Sequence, residues 1–295
     1  MIHKSVLLQE TIDGLNIENG DVVVDATING GGHTEEICRR YGNAVKVIGL
    51  DVDPDAVERG RERLKNHKNV LILNRSFSEI AQALDEVKFE KVSGILYDLG
   101  LSSNQLEDSG RGFSFKRNEP LSMKMGKDRE GISAKEILNE WGEESLADII
   151  YGYGEERFAR RIAKQIVLLR EEKPFETTED LVRAVNLSVP GWYKRKKIHP
   201  ATKTFQAIRI AVNNELNNLR NSLDSAVLRL VDGGRIAAIS FHSLEDRILK
   251  RYFAEWEKKG IGKRINKKPI IAGREEQKEN PRSRSAKLRI FEKIK

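Results

Sequence analysis

The stretch Asp21-Val22-Val23-Val24-Asp25-Ala26-Thr27-Ile28-Asn29-Gly30-Gly31-Gly32-His33 decides the fold. Its first half is a short run of Val residues, apolar on both sides, as in a strand covered on both faces. Its second half is a glycine-rich turn that opens a helix. Glycines let the backbone approach a ligand closely, and the first turn of a helix leaves N–H groups free to receive one. Tight turns of this kind also occur without a ligand, so the surrounding pattern has to decide.

Working outward, runs rich in Val, Ile and Leu recur at Asp21–Ala26, Val45–Asp51, Val70–Leu73 and Val92–Asp98. Segments with helical character, Pro54–Asn66 and Ser78–Glu86, lie between them. Strands alternating with helices at this period predict βαβ units and a parallel sheet, an α/β Rossmann-like core. The next comparable strand is only at Arg235–Phe241. Before it, Phe205, Ile208, Val212, Leu216, Leu219, Leu223, Val227 and Leu230 step by three or four. That stripe predicts one long crossover helix, stopped by Gly233-Gly234.

The interval between reads as an inserted all-helical subdomain, with helices at Ser133–Asn139, Glu143–Tyr151, Glu155–Arg170 and Thr178–Leu187. The expected organisation is a discontinuous core of residues 1–103 and 201–295 around an insertion at 104–200. Beyond the fifth strand, Leu244–Trp256 reads as a helix, Glu275–Arg284 as a loop, and Lys287–Ile294 as a closing strand.

Of the 295 residues, 39% are hydrophobic and 33% charged, which supplies a core and excludes wholesale disorder. No apolar run reaches the length of a membrane span, and Met1-Ile2-His3-Lys4 does not begin a secretory signal. The lone Cys38 cannot form an internal disulfide, so a cytoplasmic location and no membrane partner are expected. Net charge is +7, but Lys258–Lys295 alone holds 14 basic and 4 acidic residues. A second basic run is Lys194-Arg195-Lys196-Lys197. Positive charge concentrated in this way suits a polyphosphate partner, although a solvated surface would look the same.

The strand ends carry the candidate chemistry. Asp51, 19 residues after Gly32, is placed to accept the ribose hydroxyls of a nucleoside. Asp25 lies just before the glycines, where a carboxylate repels a pyrophosphate and suits a cation such as the amino group or sulfonium of S-adenosylmethionine. Phe77 follows the third strand, where a ring can flank an adenine, and Asp98 ends the fourth. Taken singly, Phe77 reads as core and Asp98 as a helix cap. Together they line one crevice at the carboxyl edge of the sheet.

With these residues in view, the chain resembles the rRNA cytosine-N4-methyltransferase family, that of bacterial ribosomal RNA small subunit methyltransferase H. The matching blocks are Asp25-Ala26-Thr27 with Gly31-Gly32-His33, Asp98-Leu99-Gly100-Leu101-Ser102-Ser103 with Gln105, and Arg111-Gly112-Phe113-Ser114-Phe115. Tyr153-Gly154-Glu155-Glu156-Arg157, His199-Pro200-Ala201-Thr202, Thr204-Phe205-Gln206-Ala207 with Arg209, Ser240–Arg247 and Arg282–Arg289 follow in order.

The resemblance implies a class I methyltransferase core and S-adenosylmethionine as cofactor, held by Gly31, Gly32, His33, Asp51, Phe77, Asp98 and Gln105. It further implies the exocyclic N4 of a cytidine in the decoding region of small-subunit (16S) ribosomal RNA as target, met within the small ribosomal subunit. RNA contacts are expected at Lys194, Arg195, Lys196, Lys197, His199, Arg209 and His242, and Asp98 is the candidate proton acceptor. Asn29, Asn104, Ser122 and Lys124 depart from the family pattern; Asn tolerates the left-handed backbone that the first loop position needs.

Other constellations fare less well. His242, Glu245 and Asp246 imitate a metal site, but a helix-start motif accounts for them better, and no metal is expected. Ser240 and Ser243 lack the Gly-x-Ser-x-Gly elbow of a hydrolase. Methylation at a pyrimidine carbon needs a cysteine nucleophile, and Cys38 reads as core. Arg157, Arg161 and Lys164 line one helix face, read first as solvated and second as a phosphate contact. The rival readings are an NAD-dependent oxidoreductase and a non-catalytic RNA-binding protein on a methyltransferase-like core.

Overall fold

The computed structural model describes residues 5–126 and 130–294; Met1–Lys4, on which the reading of no leader rests, and Lys295 of the basic C-terminal run lie outside them. Among the described residues, seven strands form one sheet: β1 (Val22–Asp25), β2 (Lys46–Leu50), β3 (Val70–Leu73), β4 (Val92–Asp98), β5 (Leu230–Ser240), β6 (Gly262–Arg264) and β7 (Lys287–Lys293). Their spatial order is β3-β2-β1-β4-β5-β7-β6. The first five are mutually parallel, while β7 runs antiparallel between β5 and β6. Strand order reverses between β1 and β4, which opens a crevice at their carboxyl ends. Val23, Val24, Ile95, Leu96 and Tyr97 are fully buried, as strands covered on both faces require.

Four expectations need correction. The single helix spanning Phe205 to Leu230 is two helices, Thr202–Asn213 and Glu215–Arg229, broken at Asn214 with φ +49°. The apolar stripe continues through the break because both helices bury it, so periodicity alone does not reveal the interruption. β5 begins at Leu230 instead of Arg235. Val92 pairs with Leu230 and Gly94 with Arg235, so Val231–Gly234 bulge out of the ladder, helped by Gly233 at φ +81°. Gly233-Gly234 is thus a bulge inside a strand.

Glu275–Arg284, expected as a loop, holds the helix Arg274–Glu279 and a 3₁₀ turn, Pro281–Ser285. One tertiary bond and one local bond stabilise this polar stretch: Glu276 Oε1 accepts the Leu7 N–H at 2.8 Å, and Gln277 Nε2 donates to the Ala272 carbonyl. An N-terminal helix, Leu8–Leu15, was not foreseen; only Thr11, Ile12 and Leu15 of it are buried, too short a stripe to stand out.

The chain divides into two compact units, residues 1–100 with 216–295, and residues 101–215. The boundaries expected from sequence were 103/104 and 200/201. The helix Thr202–Asn213 belongs to the second unit, whose core includes Ile150, Ile162, Phe175, Leu181, Phe205 and Ile208. That unit is helical, with Ala134–Glu140 and Thr178–Ser188 each opened by a capping box, Ser133 with Glu136 and Thr177 with Asp180. No helix among the described residues is long and apolar enough to cross a membrane.

Candidate active site

The site of the first unit is built at the carboxyl ends of β1, β2 and β4. After β1 the backbone stays in the sheet for two more bonds, Ala26 N–H to Leu96 O and Ile28 N–H to Leu50 O. It then turns through Asn29 at φ +51°, the left-handed conformation expected of the residue replacing a glycine. Gly31, at φ +76°, caps the helix Gly32–Tyr41. A Cβ on Gly32 would lie 2.2 Å from Ser5 Oγ, so the N-terminal segment packs directly on the helix start and Ser5 would have to turn aside for a larger residue.

Three carboxylates surround this loop. Asp25 is buried; its Oδ2 accepts from Thr34 Oγ1 at 2.7 Å and its Oδ1 from the Thr27 N–H at 3.3 Å. Burial raises its pKa, against the pull of His33. Asp51 accepts the Asn29 N–H on Oδ2 and the Asp53 N–H on Oδ1, both at 2.9 Å, which fixes the carboxylate and leaves each oxygen a second lone pair. Burial outweighs those bonds and pushes it up to about 6. Asp98 is the most perturbed in kind: burial pushes it up to about 7, with Arg282 pulling it down and Glu245 pushing it further. Its Oδ1 is buried and meets no hydrogen-bond donor among the described residues.

His33 lies beside Asp98, Nδ1 3.8 Å from Oδ2, while Nε2 is 3.2 Å from the Val6 carbonyl. A carbonyl can only accept, so Nε2 carries the proton and the lone pair of Nδ1 faces the carboxyl. Burial lowers the His33 pKa, so the ring is neutral and this is no ion pair. Phe77 opens the turn after β3 and stands edge-on to Tyr97, centroids 6.1 Å apart. Five expected residues, Gly31, Gly32, His33, Asp51 and Asp98, thus frame one loop. Thr34, whose hydroxyl donates to Asp25, and Thr27, whose N–H donates to Asp25 while its hydroxyl accepts the Asp98 backbone N–H, were not foreseen; a threonine two residues past a strand-ending aspartate was the available signal.

The remaining expected residues lie on other elements. Gln105, in the second unit, closes a capping box with Ser102: Gln105 Oε1 accepts the Ser102 N–H at 2.9 Å and Ser102 Oγ accepts the Gln105 N–H at 3.1 Å. Lys194, Arg195, Lys196 and Lys197 are all exposed. His199, exposed at the same end of that unit, stacks on Phe115 at 4.4 Å. Arg209 is neutralised instead, bound in a two-pronged pair to Glu215 at 2.8 and 2.9 Å. His242 caps the helix Ser243–Lys258, with Glu245 returning the bond to the His242 N–H.

Much of the C-terminal basic run is also paired. Lys287 and Arg289 both bind Asp246, Lys263 binds Glu292, and Arg264 binds Glu257. Those cations hold β6 and β7 in place, while Lys267, Lys268, Arg274, Lys278 and Arg284 remain exposed. Cys38 is buried, as expected, and burial pushes its thiol up.

A parallel sheet with an antiparallel β7, a glycine turn after β1 and an acidic residue closing β2 define an α/β protein for a nucleoside cofactor. The chain belongs to the MraW methylase family, whose profile matches residues 1–294. Ribosomal RNA small subunit methyltransferase H of Clostridium botulinum (strain Kyoto / Type A2) is 45% identical over 307 residues, covering 99% of each chain. The protein of that name from Lachnospira eligens is 44% identical over 308 residues, covering 99% of this chain and 98% of its own. A solved structure described as a putative rRNA-methylase from Clostridium thermocellum aligns over 100% of this chain and 99% of its own, at 14% identity and a TM-score of 0.46.

The cofactor of this methylase is S-adenosylmethionine. The residues present fit it. Two buried carboxyls, Asp25 and Asp51, are held by hydroxyl and backbone donors, and one buried oxygen of Asp98 lacks a donor, so the edge is suited to a cation. A pyrophosphate would meet the same carboxylates as like charge, which sets the oxidoreductase reading aside.

Proposed function

We propose that this chain transfers a methyl group from S-adenosylmethionine to the exocyclic N4 of a cytidine in small-subunit ribosomal RNA, with the assembled small subunit as partner and the cytoplasm as location. The names of its relatives and its family support this reading. The observation that carries it into mechanism is the buried, donor-free Oδ1 of Asp98 at the crevice.

When bound, S-adenosylmethionine supplies a sulfonium methyl, already a strong electrophile. Asp51 would hold the ribose hydroxyls, its carboxylate fixed by two backbone N–H groups. Gly31 and Gly32 form the tight turn that brings the backbone of the helix start to the crevice, and Phe77 offers a ring to the base. Asp25 complements the positive charge. What remains for the protein is to orient the amine for in-line attack and exclude water.

The cytosine amine is a weak nucleophile because its lone pair is delocalised into the ring. Ionised Asp98 would accept one N–H, localise that lone pair, and receive the proton as the new bond forms. The neutral Nδ1 of His33 beside it can share the proton afterwards. A target base must leave its stack to reach a carboxyl this deeply buried.

Labelled methyl transfer to small subunits and to naked rRNA, followed by mass-spectrometric mapping of the modified nucleoside, tests the reading. N4-methylcytidine is the expected product. Label at a pyrimidine carbon, or none with either substrate, would overturn it.

A further inference from the structure

The second unit carries a cation-and-aromatic cluster that the methyl-transfer chemistry does not use. Trp192 lies in the short helix Gly191–Lys194 and is 46% exposed, although it is the largest apolar side-chain type. Its ring stands edge-on to Tyr193, centroids 5.6 Å apart at 90°, and tilted against Phe158 at 6.1 Å. The Arg157 guanidinium lies over both Trp192 and Phe158, at 5.6 and 5.2 Å. Lys196 Nζ lies over Trp192 at 5.2 Å and over Tyr193 at 4.9 Å, and Arg161 covers Phe158 at 5.7 Å.

The platform is rigid beneath. Tyr193 donates its hydroxyl hydrogen to Glu156 Oε2 at 2.5 Å, and Glu156 Oε1 accepts the Phe158 N–H at 2.9 Å. Glu156 is fully buried, so the acid braces the rings from inside. Outside, Arg157–Lys164 and Trp192–Lys197 each contain four cations and no acid, and all eight are exposed. A half-exposed indole among cations, on a locked base, matches the two requirements of single-stranded nucleic acid: a face for a base and charge for the phosphates.

We propose that Trp192 is a stacking platform for an unpaired base of single-stranded RNA, with Arg157, Arg161 and Lys194–Lys197 taking the flanking phosphates. The proposal rests on the RNA substrate reading above and deepens it, by assigning to the inserted unit the selection of unpaired strand. Lys196 covers the ring in the free protein and is the natural gate. Stacking of a base outweighs an exposed ammonium–ring contact, and the displaced ammonium is then free to pair with a phosphate. A duplex offers no open base face, so the platform discriminates against it.

The test uses the full chain and a mixed-sequence oligoribonucleotide, single-stranded or annealed to its complement. Trp192→Ala should weaken single-strand binding roughly tenfold, leave duplex binding and cofactor affinity at wild-type levels, and keep the salt slope unchanged because no charge is lost. Single-strand affinity equal to wild type, or an equal loss for strand and duplex, would overturn the platform. Should W192A fail to fold, W192F decides by fluorescence. Quenching by the strand that wild type shows and W192F lacks supports stacking on Trp192, and equal quenching in both refutes it. These binding readouts do not depend on methyl transfer, so an inactive wild type would sink the proposed reaction while leaving the platform separately decided.

Discussion

Thr27 Oγ1 accepts the backbone N–H of Asp98 at 2.6 Å, tying the end of β1 to the end of β4 across the point where strand order reverses. The same threonine donates its own N–H to Asp25, so one residue sets the spacing of two site carboxylates. Replacing Thr27 by Val keeps the shape and leaves the Asp98 N–H without an acceptor. A loss of about 1–3 kcal/mol in urea-unfolding free energy is expected, with Thr27→Ser close to wild type. Equal stability of T27V and wild type would show that the bond contributes nothing.

Asp51→Ala removes the acceptor of two backbone N–H groups and, on the proposed reading, of the ribose hydroxyls. Cofactor affinity measured by calorimetry should fall on the order of ten- to a hundredfold, in line with charge-assisted bonds worth about 1.5–3 kcal/mol. Unchanged affinity would remove Asp51 from the site.

Asp98 gives a pH signature of known sign. Its folded value, about 7, lies above the unfolded carboxylate value near about 3.9. The folded state therefore holds the proton more tightly, and stability falls as pH rises between those values. The ionised, buried carboxyl costs at most on the order of 4 kcal/mol at pH 8. Asp98→Asn should shrink the difference between urea midpoints at pH 5 and pH 8 in the cofactor-free protein, and abolish most methyl transfer. An identical pH dependence in both proteins would contradict the assignment.

Cofactor binding should itself release protons. Asp25, Asp51 and Asp98 are all raised by burial in the free fold, and a cationic ligand stabilises their ionised forms. Titrations near pH 6.5 in buffers of different ionisation enthalpy should show net release on binding S-adenosylmethionine, diminished in D98N. Proton uptake would be the wrong sign.

Two basic positions should part company. Replacing Lys194–Lys197 by Ser should weaken RNA binding and lower the salt slope by up to about 3, taking roughly 0.7 per contact for single strands. Arg209→Ala should leave that slope alone and cost stability, because its charge already serves Glu215.

How much of this was legible beforehand depended on how local the signal was. β3 and β4 were placed at their observed ends because β3 is a continuous apolar run between two asparagines and β4 carries the apolar stretch Ile95–Tyr97 closed by Asp98. Gly31, Gly32, Asp51 and Asp98 were legible because they are tied to strand ends a few residues away. The break at Asn214 was hidden by an apolar stripe that two helices share, and the bulge at Val231–Gly234 by glycines that equally suit a helix stop. The pairing of the C-terminal cations was unreadable for a different reason. Asp246 meets Lys287 and Arg289 only through tertiary folding, so a run of positive charge in sequence became an internal scaffold in space.

The second unit interrupts the first between β4 and its parallel neighbour β5, and this has a consequence for biogenesis. As the nascent chain leaves the ribosome, Asp98 is followed by about 130 residues before Leu230 emerges, roughly 7–26 s at ordinary elongation rates. Throughout that interval β4 presents an unpaired edge, the template on which wayward strand pairing starts. Early folding of the inserted helices shortens the effective tether that β5 must search, and chaperone dependence should track their stability more closely than that of the sheet.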